Sequence, residues 1–151
     1  MQQLVMTTRN KVEPECDEVS SLAQIVDYYR NGVYQRPPHQ RDAVWTQEQI
    51  DSWVERLLEE RRPVGVIVTY QLNNGYGGPT YINDGFQRIN ATIQFLVNPD
   101  RYGCSMEDAE QAVRSCKMPR QHRHYMSQDE ALRDFQRLNQ GTHLTPLEQC
   151  K

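Results

Sequence analysis

The strongest chemical signal in the sequence is Tyr81-Ile82-Asn83-Asp84-Gly85-Phe86-Gln87-Arg88-Ile89-Asn90. A strand that passes through glycine into a helix leaves backbone N–H groups pointing outward at the helix start. The helix dipole favours an anion at the same place. Gly85 would let a ligand approach the backbone closely. Arg88 adds a fork-shaped, permanently charged donor suited to phosphate. Asp84 could hold a metal ion or act on a water molecule, and Gln87 could orient that water. The same spacing also fits a plain strand-to-helix turn with a capping aspartate and a solvated arginine, and it is less specific than a phosphate-loop motif.

Several elements must position these residues. Ser20 or Ser21 can cap a first helix whose apolar face is Leu22, Ile25, Val26 and Tyr29, with Gly32 ending it. Pro37 and Pro38 then force extended chain. Thr46 and Gln49 form a capping box for a second helix running to about Glu60, with Trp45 stapling onto Ile50. Val64 to Leu72 reads as a buried strand, residues 73–79 as a turn or mobile loop, and Thr80 to Asn83 as the return strand broken by Asp84-Gly85. A third helix carries Ile89, Ile93, Phe95, Leu96 and Val97 and is closed by Asn98-Pro99. Ser105 with Asp108 starts a fourth helix, and Ser127 with Glu130 a fifth that ends at Gly141. Met118 to Met126 is ambiguous and could be an edge strand. Residues 1–18 read as a loose arm and 19–151 as one domain. Thr145-Pro146-Leu147-Glu148 opens either a short closing helix or the continuation of a longer protein.

The bulk composition narrows the function classes. The 151 residues carry a formal net charge of −3 with 37% hydrophobic and 25% charged residues. That balance suits one globular domain and argues against a general nucleic-acid coat, which needs a basic face. Cys16, Cys104, Cys116 and Cys150 make no Cys-x-x-Cys pair and read as reduced thiols of a cytosolic protein, so a cytoplasmic location is expected. No apolar run approaches the ~20 residues that span a bilayer, and no membrane partner is expected. The most basic segment, Lys117, Arg120, His122, Arg123, His124 and Tyr125, could touch a nucleic-acid backbone, but a solvated edge is the favoured reading. His122 and His124 alone do not make a metal site.

Three landmarks add a resemblance. Pro38-His39-Gln40-Arg41-Asp42-Ala43-Val44-Trp45-Thr46 resembles the Pro-x-Tyr-Gln-Arg-x-x-Val-Trp-Ser segment of GmrSD-type restriction enzyme N-terminal domains, part of the ParB/sulfiredoxin superfamily. Asp84 to Arg88 resembles the family's Asp-Gly-Gln-Gln-Arg signature. Phe135 to Gly141, followed by Leu144 to Glu148, resembles its Phe-x-Arg-Leu-Asn and Leu-Thr-x-x-Glu landmark. The resemblance implies an α+β fold: a small mixed sheet flanked by helices. It also implies a domain that binds and hydrolyses a nucleotide (NTP) with Mg2+, alongside DNA or a DNA-processing protein, in restriction or defence.

By that analogy Gly85 and Arg88 would hold phosphate, while Asp84 and Gln87 would serve hydrolysis, with Asp84 on the metal. Gln40, Arg41, Asn90, Arg137 and Asn139 would join the nucleotide contacts. For Arg41 a plain surface role stays open, and for Arg137 and Asn139 a structural one. Two departures stand out. Phe86 replaces the family's first glutamine and could stack on a base or simply pack. His39 stands where the family usually has another aromatic. No His-Asn-His nuclease motif occurs in this sequence, so DNA cleavage by that route is not expected. The alternatives are a non-catalytic module that senses a nucleotide or clamps DNA, and an inhibitory interaction protein with a vestigial pocket.

Overall fold

A computed structural model describes residues 14–39, 45–60, 65–72 and 78–143, the last five by their backbone. The elements run β1 (Cys16–Ser21), α1 (Leu22–Arg30), β2 (Tyr34–Gln35), α2 (Gln47–Glu60), β3 (Ile67–Leu72), β4 (Thr80–Asp84) and α3 (Phe86–Val97). A 3-10 turn (Pro99–Tyr102), α4 (Met106–Ser115), β5 (Lys117–Tyr125) and α5 (Gln128–His143) complete them. The expected α+β class is therefore observed, with a five-stranded mixed sheet in the order β1-β5-β3-β4-β2. Pairing alternates: β1 with β5 and β3 with β4 are antiparallel, whereas β5 with β3 and β4 with β2 are parallel.

The capping chemistry read from the sequence is in place. Ser21 accepts from the Ala23 N–H at 3.1 Å, and Ser105 accepts from the Asp108 N–H at 3.0 Å. Thr46 and Gln49 satisfy each other's backbone N–H at 3.2 and 2.8 Å. Each cap fixes where an apolar stripe begins, and the stripes meet in one core. Leu22 and Ile25 of α1, Ile50, Val54 and Leu57 of α2, Ile89 and Phe95 of α3, and Ala112 of α4 join Ile67, Ile82 and Met118 from the sheet. Burying a side chain of this size stabilises by about 1.5–3 kcal/mol.

Side chains alternate across a strand, so the neighbours of those sheet residues serve the opposite face. There Tyr70 packs on Tyr81 and Tyr125, with ring centroids 5.2 Å apart in both pairs, and its hydroxyl donates to Gln128 of α5 at 2.6 Å. Helices α1 to α4 thus cover one face of the sheet and α5 the other.

Four readings change. Residues 16–18, placed in the arm, belong to edge strand β1, because their backbone pairs with Arg120 to His122. The ambiguous segment is no edge: β5 lies between β1 and β3 and pairs with both. Helix α5 continues through Gly141 to His143; a glycine weakens a helix without ending it. The basic segment is spent largely inside the fold, as Arg120 is 4% exposed and His122 fully buried. Arg120 donates to Glu18 through Nε at 2.9 Å and to Thr69 Oγ1 through Nη1 at 2.8 Å. Thr69 Oγ1 lies 2.8 Å from His122 Nδ1, and His122 Nε2 lies 3.2 Å from Gln71 Oε1. Gln71 Oε1 is an acceptor, so His122 donates to it from Nε2.

One clamp ties the 3-10 turn to α2. Arg101 grips Asp51 through Nε and Nη2 at 2.9 and 2.7 Å, and the Tyr102 hydroxyl donates to it at 2.5 Å. These bonds, Arg101 first, hold the Asp51 carboxyl far below the usual carboxylate range. A lowered folded value means the stabilisation exists above the unfolded value and is lost as pH falls through the folded one. Asp51→Asn should therefore lower the thermal midpoint at neutral pH, with the deficit closing in strong acid; circular dichroism melts across pH check this.

Candidate phosphate-facing site

The β4-to-α3 corner is shaped by what glycine lacks. Gly85 has φ +105°, and a Cβ there would lie 2.4 Å from Ile67 Cδ1 and 3.4 Å from the Val66 carbonyl oxygen. This glycine is needed for the left-handed backbone and for the close approach of α3 to β3. Its Cβ side is filled by Ile67. The three residues that follow begin α3 with no side-chain cap on the helix start.

Arg88, in the first turn of α3, folds back over the start of β3. Its Nη1 donates to the Val66 carbonyl at 3.0 Å, and the guanidinium lies across Gly65, where a Cβ would meet its Cζ at 2.6 Å. Its side chain is 24% exposed, so it is not the solvated arginine of the plain-turn reading. Asp84 Oδ2 lies 3.9 Å from Arg88 Nη1. Burial pushes the Asp84 carboxyl above its ordinary value, while Arg88 and the Gly85 N–H pull it back down.

Gln87 points toward α2, and its Oε1 accepts from the Trp45 N–H at 3.2 Å. That oxygen is committed to holding the two helices in register. Phe86 is 5% exposed and packs edge-on against Tyr29, with the Arg36 guanidinium 5.2 Å from its ring centre. Of the two readings of Phe86, packing is the one observed. Asn90 is half-buried on α3. Gln40 and Arg41 lie outside the described residues, as does the side chain of Asn139. Arg137 pairs with Asp134 and lines a different cleft, with His124, Tyr125, Glu130, Arg133 and Asp134. The structure thus gathers Asp84, Gly85, Gln87 and Arg88 and leaves Arg137 apart from them.

Beside Arg88 a shallow cleft of about 270 Å³ opens between α2 and α3, lined by Trp45, Gln49, Ser52, Trp53, Arg56 and Arg88. Trp53 and Arg56 escaped the motif reading because Trp53 belongs to the apolar stripe of α2 and Arg56 to its solvent side. A usable signal existed: Gln49, Ser52, Trp53 and Arg56 recur at i, i+3, i+4 and i+7, one face of a helix. No group of three or more His, Cys, Asp or Glu side chains fit to hold a metal occurs among the described residues. Among the described residues, Asp84 is the one carboxylate paired with Arg88. That matches a magnesium ion bound mainly through phosphate oxygens, which needs only one or two protein carboxylates, and does not match a dedicated protein-built metal centre.

The three landmarks of the sequence, far apart along the chain, come together around the end of β4, on opposite faces of the sheet. His39 bonds to Asn83 at 3.0 Å, and its ring lies 5.3 Å from that of Phe135. Asn83 also donates to the Ala131 carbonyl at 3.1 Å, and Trp45 meets Gln87 as described. The fold and its corner define an α+β domain whose strand-to-helix turn exposes a buried-edge arginine to a donor-lined cleft. The chain belongs to the family of GmrSD restriction endonuclease N-terminal domains, which matches residues 22–126, and so to a family of restriction and defence proteins. No curated protein and no solved structure matches the chain. Among the described residues, no helix is long and apolar enough to cross a membrane.

Two outcomes follow. Gly85→Ala should cost about 1–3 kcal/mol, the usual scale for a side chain forced into a strained backbone region, and urea unfolding measures it. Asp84→Asn should raise the thermal midpoint at neutral pH. The folded carboxyl holds its proton more tightly than the unfolded one, so ionising it costs stability as pH rises through that window. The gain should fade as pH drops toward about 4, where the unfolded carboxyl also binds its proton.

Proposed function

We propose that this domain binds the phosphates of a nucleotide at the Gly85–Arg88 corner, within a restriction or defence system. The observation that carries the reading is the placement of Arg88. Its guanidinium is anchored on the Val66 carbonyl at 3.0 Å and reaches the α2–α3 cleft beside the uncapped start of α3. An arginine held on its own backbone loses little side-chain entropy when an anion arrives, and the helix dipole adds to the attraction. Family membership supports the setting.

For hydrolysis, Asp84 is the candidate base or metal ligand. Magnesium carried on the phosphates would supply Lewis-acid polarisation of a phosphoryl oxygen. The chain's own part would be to orient: Arg88 fixes the anion, and Asp84, beside it, accepts a proton or an ion contact. A second reading, nucleotide binding without turnover, is favoured by two specific observations. Phe86 supplies no polar group, and the Gln87 oxygen is already engaged by Trp45. DNA or a DNA-processing protein would be the further partner in either case.

Calorimetry with CTP, GTP, ATP and UTP in magnesium tests binding, and phosphate release with and without DNA separates the two readings. Arg88→Ala should weaken affinity about ten- to a hundredfold, the worth of a hydrogen bond to a charged group. Because Arg88 also bonds to Val66, the variant should lose about 1 kcal/mol of stability while remaining folded. Unchanged affinity in a folded variant would sink the assignment.

A further inference from the structure

The cleft next to Arg88 has a chemistry of its own. Among the described residues its lining offers two guanidinium groups, two indoles, a hydroxyl and an amide, and no carboxylate. Among the described residues, the acids paired with these arginines stand at the limit of ion pairing: Asp84 lies 3.9 Å from Arg88, and Glu60 lies 4.0 Å from Arg56. A guanidinium has five N–H donors in a fixed fork, so both arginines retain donors for an incoming ligand.

Trp53 provides the independent observation. It is 5% exposed, and its Nε1–H is buried with no hydrogen-bond partner among the described residues. An unsatisfied buried donor costs stability unless an acceptor arrives, and indole N–H groups usually find one when buried. With that N–H shielded, contact requires a lining side chain to shift. Arg56 is suited to this, being 55% exposed and paired to Glu60 only at 4.0 Å. The cleft volume of about 270 Å³ is below the ~300–1,000 Å³ of pockets that enclose whole small molecules. It suits a phosphate chain better than a base and sugar.

We propose that this cleft is a polyphosphate subsite, in which Arg56 and the Trp53 indole N–H join Arg88 to hold the terminal phosphates of a nucleotide. This rests on the reading of the Gly85–Arg88 corner and extends it to two side chains on α2. The ligand must be anionic and rich in acceptors, because every polar group that Arg56, Arg88 and Trp53 present is a donor.

Trp45 and Trp53 are the chain's two tryptophans and both line the cleft, so their fluorescence reports occupancy directly. The full chain is titrated with inorganic tripolyphosphate, with a nucleoside triphosphate and with the corresponding nucleoside. Tripolyphosphate and the triphosphate should change the emission and compete with each other, and the nucleoside should do neither. Arg56→Ala should weaken both phosphate ligands about tenfold, as expected for the loss of a charge-assisted hydrogen bond. Trp53→Phe, which keeps an aromatic side chain but removes the donor, should weaken them less, with competition followed through Trp45. Arg56 is exposed, so its variant should fold even if Trp53→Phe does not. Triphosphate binding that needs Arg88 but is untouched by Arg56→Ala and not displaced by tripolyphosphate would overturn the subsite and leave the corner reading intact. No response to any phosphate ligand would remove both. Competition by short duplex DNA at matched phosphate concentration would reassign the cleft to a nucleic-acid backbone and overturn the proposal.

Discussion

Two glycines at the β3–α3 junction are the constraint on which the site depends. Gly85 and Gly65 have φ of +105° and +100°, and a Cβ at either would fall within 2.6 Å of a neighbouring side chain. Gly85 brings the α3 backbone down onto Ile67. Gly65 leaves a bare strip of chain on which the Arg88 guanidinium can lie. A Cβ at Gly65 would fall on the Arg88 guanidinium, which is seated on the Val66 carbonyl 3.0 Å away. The corner therefore works through close backbone approach: glycine here makes room for an arginine of the same chain. This differs from a loop that simply leaves room for a ligand.

That distinction explains what could be read in advance. Strand, glycine break and helix start at Asp84-Gly85 were legible because backbone geometry is written in residue type. Caps at Ser21, Thr46 and Ser105 were legible for the same reason: a hydroxyl before an apolar stripe has one common use. What escaped depends on pairing over long separations. β1 carries Cys16, Asp17 and Glu18, which look like a polar arm until β5 supplies the ladder partners. β5 itself reads as a basic surface run, and only the buried acceptors Thr69, Gln71 and half-exposed Glu18 convert Arg120 and His122 into interior residues. At the site, Arg88 was found by motif, but its inward turn and the Trp53–Arg56 wall depend on how α2 packs against α3.

The electrostatics resolve an apparent conflict. A chain of net charge −3 is a poor general binder of polyanions, yet among the described residues the cleft beside Arg88 is lined by two arginines and no acid. Much of the remaining basic charge is neutralised in place. Arg101 is clamped to Asp51, Arg120 to Glu18, Arg123 to Asp17 and Arg137 to Asp134. In those pairs Arg101, Arg120 and Arg123 approach their carboxylates within 2.8 Å, whereas Arg56 and Arg88 sit at 4.0 and 3.9 Å from theirs. Charge that is loosely partnered and concentrated in one concave place attracts a small anion without coating the surface for nucleic acid.

The sheet divides the family landmarks between its two faces. Asp84 meets Arg88 on the α2–α3 face, whereas Asn83, one residue earlier, is fully buried on the α5 face and holds both His39 and the Ala131 carbonyl. Asn83 thus joins the strand end that carries Asp84 to α5. Likewise Gln87 joins α3 to the start of α2 through the Trp45 N–H. His39, where the family usually has another aromatic, keeps a ring against Tyr70 and Phe135 and adds a hydrogen bond to Asn83. Through Asn83, which also bonds to the Ala131 carbonyl, His39 ties the segment after β2 to α5.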